Sequence, residues 1–153
     1  MLTHRITPRA WIWISACIQF SGLAFDATWH GLVNPGFEAV TVSQMVRHLA
    51  SVHLLLYVGV VSVLLSTGWA LLDQLRRAER GLALPVAFAG AILSTAGEVW
   101  HAYEHLQLSI THSAAIAGST AFIGLGIIVA ALWASRPAVG GRRGADREKR
   151  RAA

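Results

Sequence analysis

Four long apolar runs constrain the fold more than any other feature of this sequence. They cover approximately residues 11–30, 49–72, 82–105 and 110–133. About 20 predominantly apolar residues in a helix are enough to cross the hydrocarbon core of a bilayer. Only 14% of the residues are charged, whereas soluble domains have about 25%. The sequence therefore predicts an all-α membrane protein, a bundle of four transmembrane helices in contact with lipid.

The connections and the tail set the expected domain limits. Asn34-Pro35-Gly36 breaks any helix after the first run, so residues 31–48 are predicted to form a loop with at most an interfacial turn. After Pro137 the chain is rich in Arg, Gly and Ala and has no apolar periodicity. We expect one transmembrane domain over residues 1–136 and a disordered, basic cytoplasmic tail over residues 137–153.

The basic residues predict the orientation of the bundle. Twelve of the thirteen Lys and Arg residues precede the first run, lie between the second and third, or follow the fourth; the exception is Arg47. The positive-inside rule then places both termini in the cytoplasm, in a multi-pass protein of the cell (inner) membrane. Because the basic residues lie at chain ends and in one short loop, they do not predict binding to nucleic acid.

Most of the histidines lie at helix ends that this topology places together at the outer face. Six of the seven histidines and three acidic residues share this position: Asp26, His30, His48, His53, Glu98, His101, Glu104, His105 and His112. Ionisable groups within a membrane are costly and persist when they face the bundle interior and have partners. Imidazole and carboxylate groups are ordinary ligands of copper, iron, manganese and zinc. The alternative is a set of interfacial side chains hydrogen-bonded to one another and to water.

Helical spacing selects the side chains that face inward. Asp26 and His30 are four residues apart, and Glu98, His101 and His105 also share one helix face. His48 and His53 are about 140° apart around a regular helix, so only His53 is expected to face inward. We predict that Asp26, His30 and His53 bind metal directly. Further residues are candidates for a second metal or for hydrogen bonds that support the first: Glu98, His101, His105 and His112.

Four chemistries remain open for such a site. Copper or non-haem iron would suit an oxidoreductase or a component of an oxygenase, and haem b would need two axial histidines. The segment His101-Ala-Tyr-Glu104-His105 also has the H-x-x-E-H spacing of some zinc hydrolases. A non-catalytic metal carrier is the fourth possibility. No catalytic residue is assigned by the sequence.

The ligand residues resemble the C subunit of the copper membrane monooxygenases, the particulate methane and ammonia monooxygenases. The resembling segments are Asp26-Ala-Thr-Trp29-His30, His53-Leu-Leu-Leu-Tyr57, and Glu104-His105 followed by His112. The resemblance implies copper bound by Asp26, His30 and His53 on the outer side of the membrane. It also implies a component that works with other membrane subunits, with a homo-oligomer as the alternative.

The resemblance covers approximately residues 20–60 and 94–124, and the chain departs from the family pattern at several positions. Ser94 and Glu98 stand where the family has Asn and His. The loop before His53 is longer than the family's loop, and the chain is shorter with fewer spans. His48, His101 and His105 are additional histidines. We therefore expect a distant relative of this subunit, with an altered second site.

Overall fold

The structure is a computed structural model that describes residues 7–108 and 113–135, with side chains in the second range described from residue 116. The predicted disordered tail and His112 lie outside the described residues. The helices are α1 (Pro8–Thr28), α2 (Val42–Ser51), α3 (Leu54–Arg76), α4 (Ala83–Leu106) and α5 (Ser113–Ala134). A π-helical turn, Trp29–Val33, continues α1.

The described part of the chain is all-helical, and four of its helices are long and apolar enough to cross a membrane: α1 with its π-helical turn, α3, α4 and α5. This confirms the predicted four-helix membrane bundle. The structure corrects the expected loop over residues 31–48, because α2 occupies its second half. The second spanning helix begins at Leu54, five residues later than predicted, since α2 takes up the start of that apolar run.

The start of α1 has a side-chain cap. The Thr7 hydroxyl accepts a hydrogen bond from the backbone N–H of Ala10, 3.3 Å away, and Pro8 occupies a position where its missing N–H is not needed. At the same end of the bundle, an Arg9 guanidinium N–H donates to the backbone oxygen of Ser135, just after α5. The beginning of the first spanning helix and the end of the last one are therefore neighbours.

Glycines allow the closest helix pairs to approach backbone to backbone. In the α1–α3 pair, Gly22 packs on the backbone of Leu56, and Gly59 packs on the backbone of Gln19. In the α4–α5 pair, Gly97 packs on Ala121. Small residues at helix interfaces are typical of membrane bundles, where dispersion contacts replace the hydrophobic effect between helices. These two tight pairs join through contacts between α3 and α4.

The bundle interior is mainly apolar toward the Arg9 end, and its larger polar and ionisable side chains lie toward the opposite end. Ile12, Val63, Ala87 and Ile128 are fully buried or nearly so in the apolar part. Large apolar side chains on the outside, such as Leu65 and Phe20, remain exposed, as expected for helix faces that contact lipid. The buried polar residues Gln19, Ser94, Glu98, His48 and His53 lie toward the other end, where the candidate site is found.

Candidate metal centre

The C-terminal end of α1 contributes Asp26 and His30. They are four residues apart, and the His30 Nε2 atom lies 3.5 Å from the Asp26 Oδ1 atom. The chain continues past them as the wide turn Trp29–Val33 rather than as a regular α-helix. Single π-helical turns are rare and frequently occur at functional sites. This turn carries His30 at the bundle end, one third exposed.

A break between two helices brings His48 and His53 together. His48 lies in the last turn of α2, whereas His53 is the residue immediately before α3. Their Nε2 atoms are 3.3 Å apart, and both side chains are buried. On one regular helix these two side chains would point about 140° apart. That separation does not apply here, because the helix ends between them. The expectation that only His53 faces inward was therefore wrong.

A short sequence signal for α2 could have revealed the role of His48. Thr41 and Gln44 have the spacing of a capping box, which marks a helix N-terminus. The Thr41 hydroxyl accepts from the Gln44 backbone N–H at 3.3 Å, and the Gln44 side chain accepts from the Val40 backbone N–H at 3.0 Å. Met45, His48 and Leu49 then form the buried face of α2, which positions His48 over the bundle end.

Three histidine nitrogens at this end of the bundle lie close enough together to hold one metal ion, and a carboxylate oxygen lies beside two of them. His48 Nε2 lies 3.3 Å from His30 Nε2 and 3.3 Å from His53 Nε2, and Asp26 Oδ1 lies 3.4 Å from His53 Nε2. Tetrahedral ligands at metal distances of about 2.0–2.1 Å are about 3.3–3.4 Å apart. We call His30, His48, His53 and the neighbouring Asp26 the first group; its three histidines could hold a metal ion.

These separations are longer than good hydrogen bonds, which have donor–acceptor distances of about 2.7–3.2 Å. The Asp26 Oδ1 atom is buried and accepts no hydrogen bond from the described residues. It nevertheless faces two imidazole nitrogens, those of His30 and His53. Asp26 therefore lies beside two of the histidines that could hold a metal ion.

A second group of possible ligands shares His53. His53, His101 and His105 each offer a nitrogen within 4.8 Å of the others. His101 and His105 lie on consecutive turns of α4, and their Nε2 atoms are 3.1 Å apart. We call these three residues the second group. Because His53 belongs to both groups, the two sites cannot be filled independently.

The remaining candidate ligands have different positions. Glu98 is buried on α4 but belongs to neither of the groups found among the described residues. Glu104, the acid of the H-x-x-E-H segment, accepts a hydrogen bond from the Trp100 indole N–H at 3.0 Å. His112 lies outside the described residues, so its predicted role stays a prediction.

The histidines between the first two spanning helices have lowered pKa values. Burial, and then the neighbouring His30, lower the pKa of His48. Burial, and then repulsion from His105, lower the pKa of His53. A metal binds neutral imidazole, so protons compete less strongly for these nitrogens than for those of an exposed histidine.

No protein family matches this chain, and neither a curated protein nor a solved structure is similar to it. The fold and the site therefore define the class of this protein. The chain is a membrane-spanning helical protein with a cluster of histidines that could hold a metal ion.

Proposed function

We propose that this protein binds copper within the outer part of the cell membrane and uses it in oxidation–reduction chemistry. The observation that carries the proposal is the convergence of His30, His48 and His53, which could hold one ion, with Asp26 beside two of them. His101 and His105 extend the cluster beside His53. Charge placement in the sequence supports an orientation with this end of the bundle outside and both termini in the cytoplasm.

The donor set favours copper among the common metals. Three imidazoles and one carboxylate suit copper, zinc and iron. Among divalent metals, nitrogen and oxygen sites have their highest intrinsic affinity for copper. The resemblance of Asp26, His30 and His53 to the copper-binding segments of the membrane monooxygenase C subunit supports the same choice. It also supports a role as one subunit of a larger membrane oxygenase, or of a related oxidoreductase.

The packing of the imidazole rings disfavours haem. The centroids of His48 and His53 are 5.0 Å apart, those of His53 and His105 are 5.3 Å apart, and those of His101 and His105 are 4.5 Å apart. A haem with two axial histidines needs a planar slot between opposing rings. Histidine rings that contact one another in this way leave no such slot, but they leave room for ions.

A metal carrier is the second candidate, and the position of α2 favours it. His48 comes from a short helix outside the spanning segments, and it lines an open cavity of about 420 Å³ together with Trp29, Phe37 and Arg47. A metal bound beside this opening would be accessible to an acceptor. Transfer of bound copper to an acceptor chelator within minutes, with no activity, would select the carrier.

Metal analysis of the detergent-purified protein tests the proposal. We expect about one equivalent of copper or more, because ligands so arranged bind metal tightly, and we expect a His30→Ala variant to lose it. Zinc or iron in place of copper would contradict the choice of metal. Less than about a tenth of an equivalent of any transition metal after growth in metal-supplemented medium would overturn the proposal as a whole.

A further inference from the structure

Three buried oxygen atoms lie below the histidines, toward the middle of the membrane. They are the Gln19 Oε1 atom, the Tyr57 hydroxyl and the Glu98 Oε2 atom. None of them has a hydrogen-bond partner among the described residues. Gln19 is completely buried, and Glu98 is 3% exposed. Unpaired polar atoms are especially costly in a membrane, where lipid offers no replacement partner.

The three side chains come from three helices and belong to one layer of the bundle. Gln19 on α1 donates from Nε2 to the Ser94 hydroxyl on α4 at 2.7 Å, which leaves its Oε1 atom as an acceptor. Glu98 follows Ser94 by one turn on the same face of α4. Gly59 on α3 packs directly against Gln19, and Tyr57 precedes it by two residues.

A ring contact places this layer next to the first group. Tyr57 also lies within electrostatic range of Glu98 and Asp26, and Glu98 lies within range of Asp26. The Tyr57 ring stacks on the ring of His53, with centroids 5.9 Å apart. The unpaired oxygens therefore begin where the histidine cluster ends.

The chemistry of the three unpaired oxygens indicates which molecule could bind between them. All three are oxygens, and the amide and carboxylate oxygens accept hydrogen bonds. An anion would be repelled, and an apolar guest would leave the oxygens unpaired. Water donates two hydrogen bonds and accepts others, and buried waters in proteins make about three such bonds.

We propose that Gln19, Tyr57 and Glu98 form a buried hydration site directly beneath the histidine cluster. Water held there hydrogen-bonds all three oxygens and extends the polar surroundings of the histidines inward by one helical turn. The site does not depend on a metal, because none of its three residues belongs to the first or second group.

The hydration site is closed toward the Arg9 end of the bundle. The next polar contact in that direction joins the Ser66 and Ser15 hydroxyls at 3.4 Å. The Thr67 hydroxyl is engaged with the backbone oxygen of Val63 on its own helix. Ile12 and Val63 fill the interior there. The water therefore occupies a cavity that is closed at this end, and it exchanges with the solvent at the histidine end. It does not form a path across the membrane.

Radiolytic hydroxyl labelling tests this proposal, because radicals formed from bound water label the side chains beside it. We expect Tyr57 to be labelled at a rate similar to that of exposed Tyr103, although the Tyr57 hydroxyl is buried. A Gln19→Leu, Glu98→Leu double variant should lower Tyr57 labelling several-fold and leave Tyr103 unchanged. Glu98→Gln retains an acceptor and should retain labelling, which keeps the test valid if the double variant misfolds.

Two further labelling experiments distinguish water from a bound ion. In the metal-free protein, the Tyr57 labelling should be unchanged, so that a failure of the proposed copper site does not affect this result. Replacement of sodium by choline should also change nothing. Labelling of Tyr57 that stays far below that of Tyr103 would overturn the proposal, and so would labelling that rises only when sodium is removed, since a cation would then hold the site.

Discussion

The Nε2 atoms of His48 and His53 lie 3.3 Å apart, because α2 ends and α3 begins between them. On one continuous helix, these two side chains would point in directions about 140° apart. Ser51 lies at the end of α2, and its hydroxyl donates to the backbone oxygens of Arg47 and His48. This local change of direction creates the first group.

The shared position of His53 predicts an asymmetric response to mutation. A His53→Ala variant should lose metal from both groups, whereas His101→Ala should keep the metal of the first group. Metal content by mass spectrometry and copper titration would separate these outcomes. His4→Ala, which changes the histidine before the first spanning helix, is the matched control and should behave as wild type. Equal losses in the His53 and His101 variants would contradict the division into two groups.

The Thr41 hydroxyl that caps α2 is predicted to affect metal affinity. Removing the Thr41 side chain costs about 1 kcal/mol of helix stability, and α2 positions His48. Thr41→Ala should therefore weaken metal binding by about fivefold, the equivalent of about 1 kcal/mol. Competition with a chelator of known affinity measures the change. Ser43→Ala on the exposed face of the same helix is the control; an equal effect there would argue against the cap.

Glu104 predicts a distinction between copper chemistry and hydrolysis. Its carboxylate accepts from the Trp100 indole N–H, and it belongs to neither group of ligands. Glu104→Gln should therefore leave metal content unchanged, while Asp26→Asn should lower it. In a zinc hydrolase with the H-x-x-E-H arrangement, Glu104→Gln would instead retain metal and abolish metal-dependent hydrolysis. Assays of generic ester and peptide substrates would detect that activity.

The glycine contacts predict where added volume destabilises the bundle. An alanine at Gly22 would meet the backbone of Leu56, and forcing such groups into a packed interior costs about 1–3 kcal/mol. Gly22→Ala should lower the thermal unfolding midpoint in detergent. Gly126→Ala is the control, because nothing lies within 4 Å of the added carbon, and its midpoint should be unchanged or slightly higher. Similar losses in both variants would refute the close approach.

The predicted orientation can be checked with single cysteines. After the native Cys17 is changed to Ser, a cysteine at Glu38 should react with a membrane-impermeant maleimide added to intact cells. A cysteine at Arg80 should react only after the membrane is permeabilised. The opposite pattern would place the histidine cluster at the cytoplasmic face and remove the parallel with the copper oxygenase subunit.

The sequence predicted the spanning helices well, because membrane crossing imposes a length and a composition that any apolar run reveals. It also predicted that Asp26, His30, His53, His101 and His105 meet, since their helical spacing and the alternating topology leave few other arrangements. Their role as metal ligands stays a prediction. The helix ends were expected to lie at one face because consecutive spanning helices run in opposite directions.

The features that the sequence did not predict depend on the local backbone conformation and on contacts between helices. The break after Ser51 was hidden within an apolar run that reads as one continuous helix, and it changed the role of His48. Gln19 and Ser94 were predicted to lie on the inward faces of their helices, but the hydrogen bond between them was not, because spacing along one helix does not reveal a partner on another. Gln19 also packs against Gly59, so one residue of α1 contacts both α3 and α4.

The order of the first group along the chain has a consequence for biosynthesis. Asp26, His30, His48 and His53 all precede the third spanning helix, whereas His101 and His105 belong to it. A nascent chain that has inserted only its first two spans already carries every member of the first group. Metal capture at that stage would not have to wait for the ribosome to finish, and the later helices would then close around an ion already in place.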